Sequence, residues 1–175
     1  MALVVFLRGV NVGGHKTFRP KQLVEQLKHL DAVNIGAAGT FVIRKAVNQT
    51  KLREEVARRL PFEVDMAICD GRDILDLVER APHGPHPSKP DVVRFVSVRC
   101  KPSAVPVKTP LRWPASGEWL VRVISVEKQF IVGEYRRHMH TVRHLGQLDK
   151  VVSDPVTTRN WNTIAAIAKV LTGSK

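Results

Sequence analysis

The sequence is poor in cysteine and lacks long hydrophobic runs, and both absences exclude classes of protein. Its two cysteines cannot form the disulfide framework of a small secreted domain, and each ends an apolar run typical of a reduced, buried thiol. No apolar run approaches the roughly 18 residues of a membrane span. The apolar residues 1–7 lack a basic leader and a small-residue cleavage site, so we interpret them as a strand. The sequence therefore predicts a cytoplasmic protein with no membrane partner.

Signatures of catalysis and of metal binding are also missing. Neither Gly-x-Ser-x-Gly nor His-Glu-x-x-His occurs, and the paired carboxylates are typical of solvated helix faces. A metal could use the spacing of His83 with His86, or that of His138, His140 and His144, but no cysteine lies near either group. We therefore predict no metal and no cofactor, and we interpret residues 136–144 as a basic, pH-sensitive surface.

Positive charge is the strongest feature of the composition. The chain has 28 basic and 16 acidic side chains, a net charge of +12. Residues 1–91 hold 14 basic and 11 acidic side chains (+3), whereas residues 92–175 hold 14 and 5 (+9). Such an excess attracts phosphate-rich partners, namely a phosphate, a nucleotide or a nucleic acid. The alternative is that the charge serves only solubility.

The hydrophobic pattern of the first half alternates between strands and helices. It predicts strands at 2–7, 33–35, 40–44 and 63–69, and helices at 20–30, 50–60 and 70–80. Within it, Thr50 and Asp70 are predicted helix caps. This βαββαβ order with an added helix predicts a ferredoxin-like subdomain over residues 1–81. The proline-rich residues 82–90 are the predicted connector.

The second half predicts a smaller, basic α+β subdomain over residues 91–175. Strands are expected at 92–98, 118–126 and 129–133, and a helix from about Asn160 to Thr172, with Gly173 past its end. Residues 101–114 carry four prolines and cannot hold a long regular element. The chain as a whole is predicted to be α+β.

Aromatic residues are scarce on the strands that would form a ferredoxin-like sheet. Phe6 and Phe41 are the only ones, and the basic-Gly-aromatic signature around Phe41 is missing. RNA-recognition sheets stack bases on several such aromatics. The sequence thus argues against that binding mode, but not against a sequence-blind phosphate patch.

A glycine-rich, cationic loop follows the first strand. Gly9 and Gly14 have the spacing of a nucleotide P-loop, but His15 intervenes before Lys16, and the extra residue would turn the lysine away from the phosphates. A looser anion site is still compatible with the loop, because glycines let backbone N–H groups approach a ligand. Its candidate ligand-binding residues are Arg8, Asn11, Gly13, Gly14 and Lys16. The alternative is a loop whose glycines only permit positive φ.

A second polar run, Thr-Thr-Arg-Asn-Trp-Asn-Thr at 157–163, is predicted to open the last helix. Helix N-termini present unpaired N–H groups that hold anions, and Arg159 would add a two-pronged donor. The candidate ligand-binding residues here are Arg159, Asn160, Asn162 and Thr163. The alternative is ordinary helix capping, with Trp161 in the core.

These two motifs, Leu-Arg-Gly-Val-Asn-Val-Gly-Gly at 7–14 and the run at 157–163, resemble the hallmarks of the bacterial domain-of-unknown-function family 1697. The resemblance implies a two-part α+β fold with a ferredoxin-like first part, and it implies no activity. Where family members usually have a Ser-Gly-Asn turn, this chain has Ala38-Gly39-Thr40.

Three functions fit these observations. The leading hypothesis is a binding module in which both motifs form one cationic pocket for a phosphorylated or nucleic-acid ligand. The first alternative is an enzyme acting on a nucleotide-like or other anionic small substrate, which needs a titratable group such as His15 in reach. The second alternative is a structural or interaction protein whose motifs only join two subdomains. The sequence does not identify a catalytic residue, a ligand or an oligomeric state.

Overall fold

The computed structural model describes residues 1–85, 89–101 and 105–173, and within them the fold is mixed α/β with two antiparallel sheets. The chain divides into two compact units, Met1–Glu79 with Thr163–Lys175, and Arg80–Asn162. This division differs from the predicted one, which placed all of residues 91–175 in the second part. The spacing of apolar residues in the last helix predicts that the helix forms, but it does not indicate with which of the two sheets the helix is grouped. None of the described helices combines the length and hydropathy of a membrane span.

The first unit contains a four-stranded antiparallel sheet in the order β2-β3-β1-β4. The strands are β1 (Leu3–Leu7), β2 (Ala32–Asn34), β3 (Thr40–Ile43) and β4 (Met66–Asp70). The helices are α1 (Pro20–Gln26), α2 (Gln49–Arg59), α3 (Gly71–Arg80) and most of α6 (Trp161–Thr172). A short 3₁₀ turn, Lys28–Leu30, follows α1 where one longer helix was predicted.

Helix capping explains where α2 and α3 begin. The side chain of Asn48 accepts hydrogen bonds from the backbone N–H groups of Thr50 (2.8 Å) and Lys51 (3.4 Å), so Asn48 is the cap and the prediction of Thr50 was wrong. Asn48 and Thr50 both have polar side chains that can cap a helix. Asn48 is the cap because its backbone is extended, as the N-cap position requires. Asp70 accepts from the N–H of Arg72 (2.9 Å), as its predicted capping role requires.

Both faces of this sheet are buried. One face packs against α1 and α2 through side chains such as Leu23, Leu27, Leu52 and Val56. The strand register places Phe6 on the opposite face, where it is 0% exposed. Gly71 at the start of α3 lies directly against Leu171 of α6, which leaves no room for a Cβ there. No aromatic ring on this sheet is therefore available to stack on a base.

The second unit contains a five-stranded antiparallel sheet in the order β6-β7-β8-β5-β9. The strands are β5 (Val92–Arg99), β6 (Leu111–Trp113), β7 (Val121–Glu127), β8 (Phe130–Arg136) and β9 (Val156–Asn160). Two short helices, α4 (Thr141–Leu145) and α5 (Leu148–Val152), were not predicted. One face of the sheet packs against Leu148 and Val152 of α5.

Gly133 in the middle of β8 allows a close approach of two other groups. A Cβ at this position would lie 2.5 Å from the ring of Phe95 and would overlap the carbonyl oxygen of Arg122. The register of β7 against β8 shifts next to it, between Val123 and Ser125. Only glycine fits between the Phe95 ring and β7.

Candidate functional site

The glycine motif of the first unit forms a tight hairpin. Val12 and His15 form an isolated antiparallel bridge, and the N–H of His15 donates to the carbonyl of Val12 (3.0 Å). Gly13 (φ 57°) and Gly14 (φ 76°) occupy the two central positions, and positive φ at both is the pattern of a type I′ turn. The glycines are thus required by the turn itself, and both are exposed.

Asn11 connects this hairpin to the rest of the first unit. Its Nδ2 donates to the carbonyl of Ala37 (2.9 Å), and its Oδ1 accepts from the backbone N–H of Phe18 (2.9 Å). Asn11 also adopts φ 55°, a left-handed conformation that asparagine tolerates. Both ends of its carboxamide therefore bind the protein itself.

The two cations of the first motif lie beside acidic residues. A guanidinium nitrogen of Arg8 is 3.8 Å from the carboxylate of Asp65, and Nζ of Lys16 donates to the backbone carbonyl of Glu63 (2.9 Å). Lys16, Glu63 and Asp65 share the lining of a cleft of about 700 Å³. The positive charge predicted for this surface is therefore offset locally by carboxylates.

The second motif contains the start of the last helix, as predicted, but its first four residues belong to a strand that was not predicted. Residues 156–160 form β9, which pairs with β5, and the helix begins only at Trp161. Side chains alternate across a strand, so Arg159 and Asn160 point to opposite faces of the sheet. The hydroxyls of Thr158 and Ser97, which face each other across β5 and β9, share a hydrogen bond of 2.6 Å. Thr163 is half-buried in the first turn of α6.

Arg159 is held inside the second unit. Only 8% of its surface is exposed, and its Nη1 donates to the hydroxyl of Thr157 (2.8 Å) and the carbonyl of Thr158 (2.9 Å). Burial lowers the pKa of Arg159 to about 10, so it stays charged at neutral pH. Arg159 is not among the residues that line the cleft containing Asn160 and Asn162.

Asn160 and Asn162 instead line a cleft where β9 ends and α6 begins. β9 pairs with β5 only from Phe95 onward, so the first three residues of β5 extend past its end. The cleft has a volume of about 290 Å³. We call it the β9 cleft, and it is lined by Val92, Val93, Arg94, Arg137, Asn160, Trp161 and Asn162.

Two arginines that the sequence analysis did not single out face this cleft. Arg94 has a side chain only 11% exposed, 3.9 Å from the carboxylate of Glu134, and it donates to the carbonyl of His83 (3.3 Å). Arg137 is exposed and donates to the carbonyl of Pro90 (3.2 Å). Arg137 belongs to the basic run at 136–144, but no local pattern indicates that Arg94 and Arg137 line one cleft, because this depends on the register of β5 with β8 and β9.

His83 lies next to the β9 cleft and contacts one of its lining residues, Trp161. Its ring packs edge-on against the indole of Trp161 with centroids 4.8 Å apart. Nε2 lies 2.9 Å from the carbonyl oxygen of Gly133 and 3.3 Å from that of Phe95, so Nε2 carries the hydrogen. Burial lowers the pKa of His83, with a smaller contribution from Arg94, while the two carbonyls and Glu134 act in the opposite direction. The imidazole is therefore neutral at pH 7.

The histidine-rich segments offer no metal centre within the described residues. Nowhere in residues 1–85, 89–101 and 105–173 do three histidine, cysteine or acidic side chains group closely enough to hold an ion. His86, one of the predicted spacing partners, lies outside the described residues. The rings of His138 and His140 are 5.2 Å apart, and both residues are exposed.

Comparisons with known proteins give a family and a fold. The family model described as "Protein of unknown function (DUF1697)" matches residues 1–109. A conserved bacterial protein from Streptococcus pneumoniae has a similar structure, with a TM-score of 0.56 and 14% sequence identity over 97% of this chain and 98% of that one. At this identity the likeness shows the fold alone. The comparison with curated proteins gave no match.

Proposed function

The chain belongs to the DUF1697 family of proteins of unknown function, and we propose that it is a binding module for a phosphorylated or nucleic-acid ligand. The observation that carries this proposal is the β9 cleft, whose lining includes two arginines and two asparagines and no acidic residue. Guanidinium groups bind phosphate oxygens in pairs of charge-assisted hydrogen bonds, and carboxamide N–H groups add neutral donors.

The size of the β9 cleft indicates how much of a ligand it would enclose. About 290 Å³ lies at the lower end of small-molecule sites. This volume accommodates one phosphate with an attached sugar, whereas the rest of a longer ligand would lie on the basic surface outside. Arg94 is the fixed member of the pair, because Glu134 and His83 hold it, and exposed Arg137 is the adaptable one.

For four predicted ligand-binding residues, the structural alternative is better supported. Arg8, Asn11, Lys16 and Arg159 each direct polar atoms at groups of the protein itself. We therefore assign these side chains to stabilising their own units. Asn160 and Asn162 keep the ligand-binding role that the sequence predicts.

The enzyme alternative has less support at this cleft. The imidazole of His83 packs against Trp161 of the cleft, and its Nε2 hydrogen is committed to backbone carbonyls. His15 lies in the exposed hairpin of the first unit. A binding role needs no proton transfer and so fits the residues of the cleft as they stand.

We further propose that the first unit has a ferredoxin-like arrangement and that the protein is cytoplasmic. Strand order β2-β3-β1-β4 with all neighbours antiparallel, and helices α1 and α2 after β1 and β3, supports the arrangement. Both cysteines are buried and neither forms a disulfide, which fits a reducing compartment.

Calorimetric titration with AMP and with a short single-stranded DNA, each at low and moderate salt, tests the binding proposal. We expect Arg137→Gln to weaken AMP binding about tenfold, since one charge-assisted contact is lost. Arg143→Gln is the matched control, because Arg143 is also exposed in the same unit and does not line the cleft. An equal loss in both variants would show that only the overall charge matters, and unchanged affinity in Arg137→Gln would refute the site.

A further inference from the structure

A second cleft of the same unit lies beside β6 and β7, and the motifs contribute nothing to it. Its volume is about 680 Å³, well within the range of small-molecule sites. We call it the Trp119 cleft. Its lining residues are Pro82, His83, Gly84, Pro110, Leu111, Arg112, Trp119, Arg122, Val123 and Ile124.

The walls of the Trp119 cleft are mainly apolar, and its indole is held by arginines. The guanidinium of Arg122 lies 4.4 Å from the ring centroid of Trp119, and that of Arg136 lies 5.2 Å from it. Both distances allow a cation–π attraction, which restrains the ring. Leu111 and Ile124 add aliphatic surface around it. A flat, apolar ligand would find a preformed surface here.

The polar groups of this cleft are few and are mostly fixed in place. Nε and Nη2 of Arg122 donate to Oε2 of Glu134 at 2.9 and 2.5 Å, and Glu134 is 2% exposed. Nδ1 of His83 is buried without a hydrogen-bond partner among the described atoms, while Nε2 is anchored to Gly133. A pocket with apolar walls and a small number of placed polar groups is the usual form of a ligand site.

Arg112 supplies the charge that an anion would use. Its guanidinium is exposed and donates to the carbonyls of Pro114 and Gly117. These bonds occupy two of its five N–H donors, so donors are left for a ligand. No acidic residue lines the cleft. Among the described residues, Arg122 pairs with Glu134, and Arg136 pairs with Glu118 and Asp91. The lining of the cleft is therefore mainly apolar, and Arg112 is the cation that it offers to an anion.

We propose that the Trp119 cleft binds an aromatic ring carrying one anionic group. The ring would pack on Trp119 and the aliphatic wall, and the anion would bind Arg112 at the rim. The ligand could be an aryl carboxylate or a nucleoside monophosphate, which share this chemistry. This proposal does not depend on the β9 cleft, so a negative result at one cleft leaves the proposal for the other cleft unchanged.

Ligand-observed saturation-transfer NMR and calorimetry with four probes test this site on the full chain. Benzoate and AMP represent the two sources of ligand, benzamide lacks the charge, and cyclohexanecarboxylate lacks the aromatic ring. We expect binding of benzoate, AMP or both at low-millimolar concentration, and a clear preference over benzamide and cyclohexanecarboxylate. Binding of AMP alone that Arg112→Gln weakens and Arg137→Gln does not would identify the nucleotide as the source, whereas AMP binding that only Arg137→Gln weakens would belong to the β9 cleft and overturn this proposal. Binding of benzoate alone would identify the carboxylate.

Two variants test whether the probes bind in the Trp119 cleft. Arg112→Gln is expected to weaken binding about tenfold, and Trp119→Leu to weaken it further. Arg143→Gln and Arg137→Gln are the controls, and neither should change benzoate affinity. If Trp119→Leu fails to fold, Arg112→Gln decides, because its side chain is exposed. Binding of benzamide as tight as that of benzoate, unchanged binding in Arg112→Gln, or no binding of benzoate and AMP would each overturn the proposal.

Discussion

The carboxylate of Glu134 stabilises both clefts, and its neutralisation is the sharpest test of the second unit. Glu134 on β8 faces Arg122 on β7 and Arg94 on β5, since the register pairs it with both. Its side chain is 3% exposed, and it accepts two hydrogen bonds from Arg122 while Arg94 lies 3.9 Å away. In Glu134→Gln, two guanidinium groups would face a neutral amide.

The expected loss follows from the burial of each partner. Removing one member of a buried ion pair costs about 3–5 kcal/mol, because the remaining charge is left without compensation. The side chain of Arg122 is 38% exposed and can be rehydrated, whereas that of Arg94 is 11% exposed and cannot. We therefore expect Glu134→Gln to lower the free energy of unfolding by about 2–4 kcal/mol.

Urea unfolding followed by tryptophan fluorescence measures this loss in the relevant unit. Trp113, Trp119 and Trp161 are the three tryptophans of the chain, and all lie in the second unit. The control is Glu127→Gln, which breaks the half-exposed pair with Arg80 (2.6 Å) and should cost at most about 1 kcal/mol. A loss in Glu134→Gln no larger than that of the control would refute the reasoning.

Three further predictions concern single groups of the fold. The pKa of His83 is lower in the folded protein than in the unfolded chain. As pH falls below about 6.5, the unfolded chain therefore binds a proton at His83 before the folded protein does, and the free energy of unfolding falls. Thermal unfolding at pH 7.5 and 5.5 should show a smaller loss of stability between the two pH values in His83→Gln than in the wild type. Gly133→Ala should cost about 3 kcal/mol in urea unfolding, because a Cβ there meets the Phe95 ring and a backbone carbonyl. Asn48→Ala should cost about 1 kcal/mol through loss of the α2 cap, and Thr50→Ala much less.

The sequence predicted the elements of residues 1–80 well, because their core positions repeat at regular intervals. Leu52, Val56 and Leu60 are spaced as one helix face, and all three are buried. The second unit was predicted less completely. Residues 156–160 contain mostly polar side chains and give no strand pattern, yet they pair with β5 over their whole length. Short helices such as α5 have too few residues for a period to be recognised.

The site was harder to predict than the fold, because it depends on strand register. Asn160 and Asn162 were singled out from a local run, and the structure places both at the β9 cleft. Arg94 stands within an apolar strand, and its contact with Glu134 joins residues 40 positions apart. The same dependence explains why the sequence grouped Arg159 with Asn160, since only the strand assignment reveals that their side chains point to opposite faces of the sheet.

Arg159 in β9 is buried whereas Asn162 in α6 is exposed, and this difference makes one more testable separation. Arg159→Lys should lower the free energy of unfolding by about 1–2 kcal/mol, because an ammonium on a flexible stem replaces the buried group that donates to Thr157 and Thr158. It should leave AMP affinity unchanged. Asn162 is exposed in the β9 cleft, so Asn162→Ala should do the reverse and weaken AMP binding at unchanged stability. A loss of AMP affinity in Arg159→Lys at wild-type stability would show that Arg159 binds the anion directly.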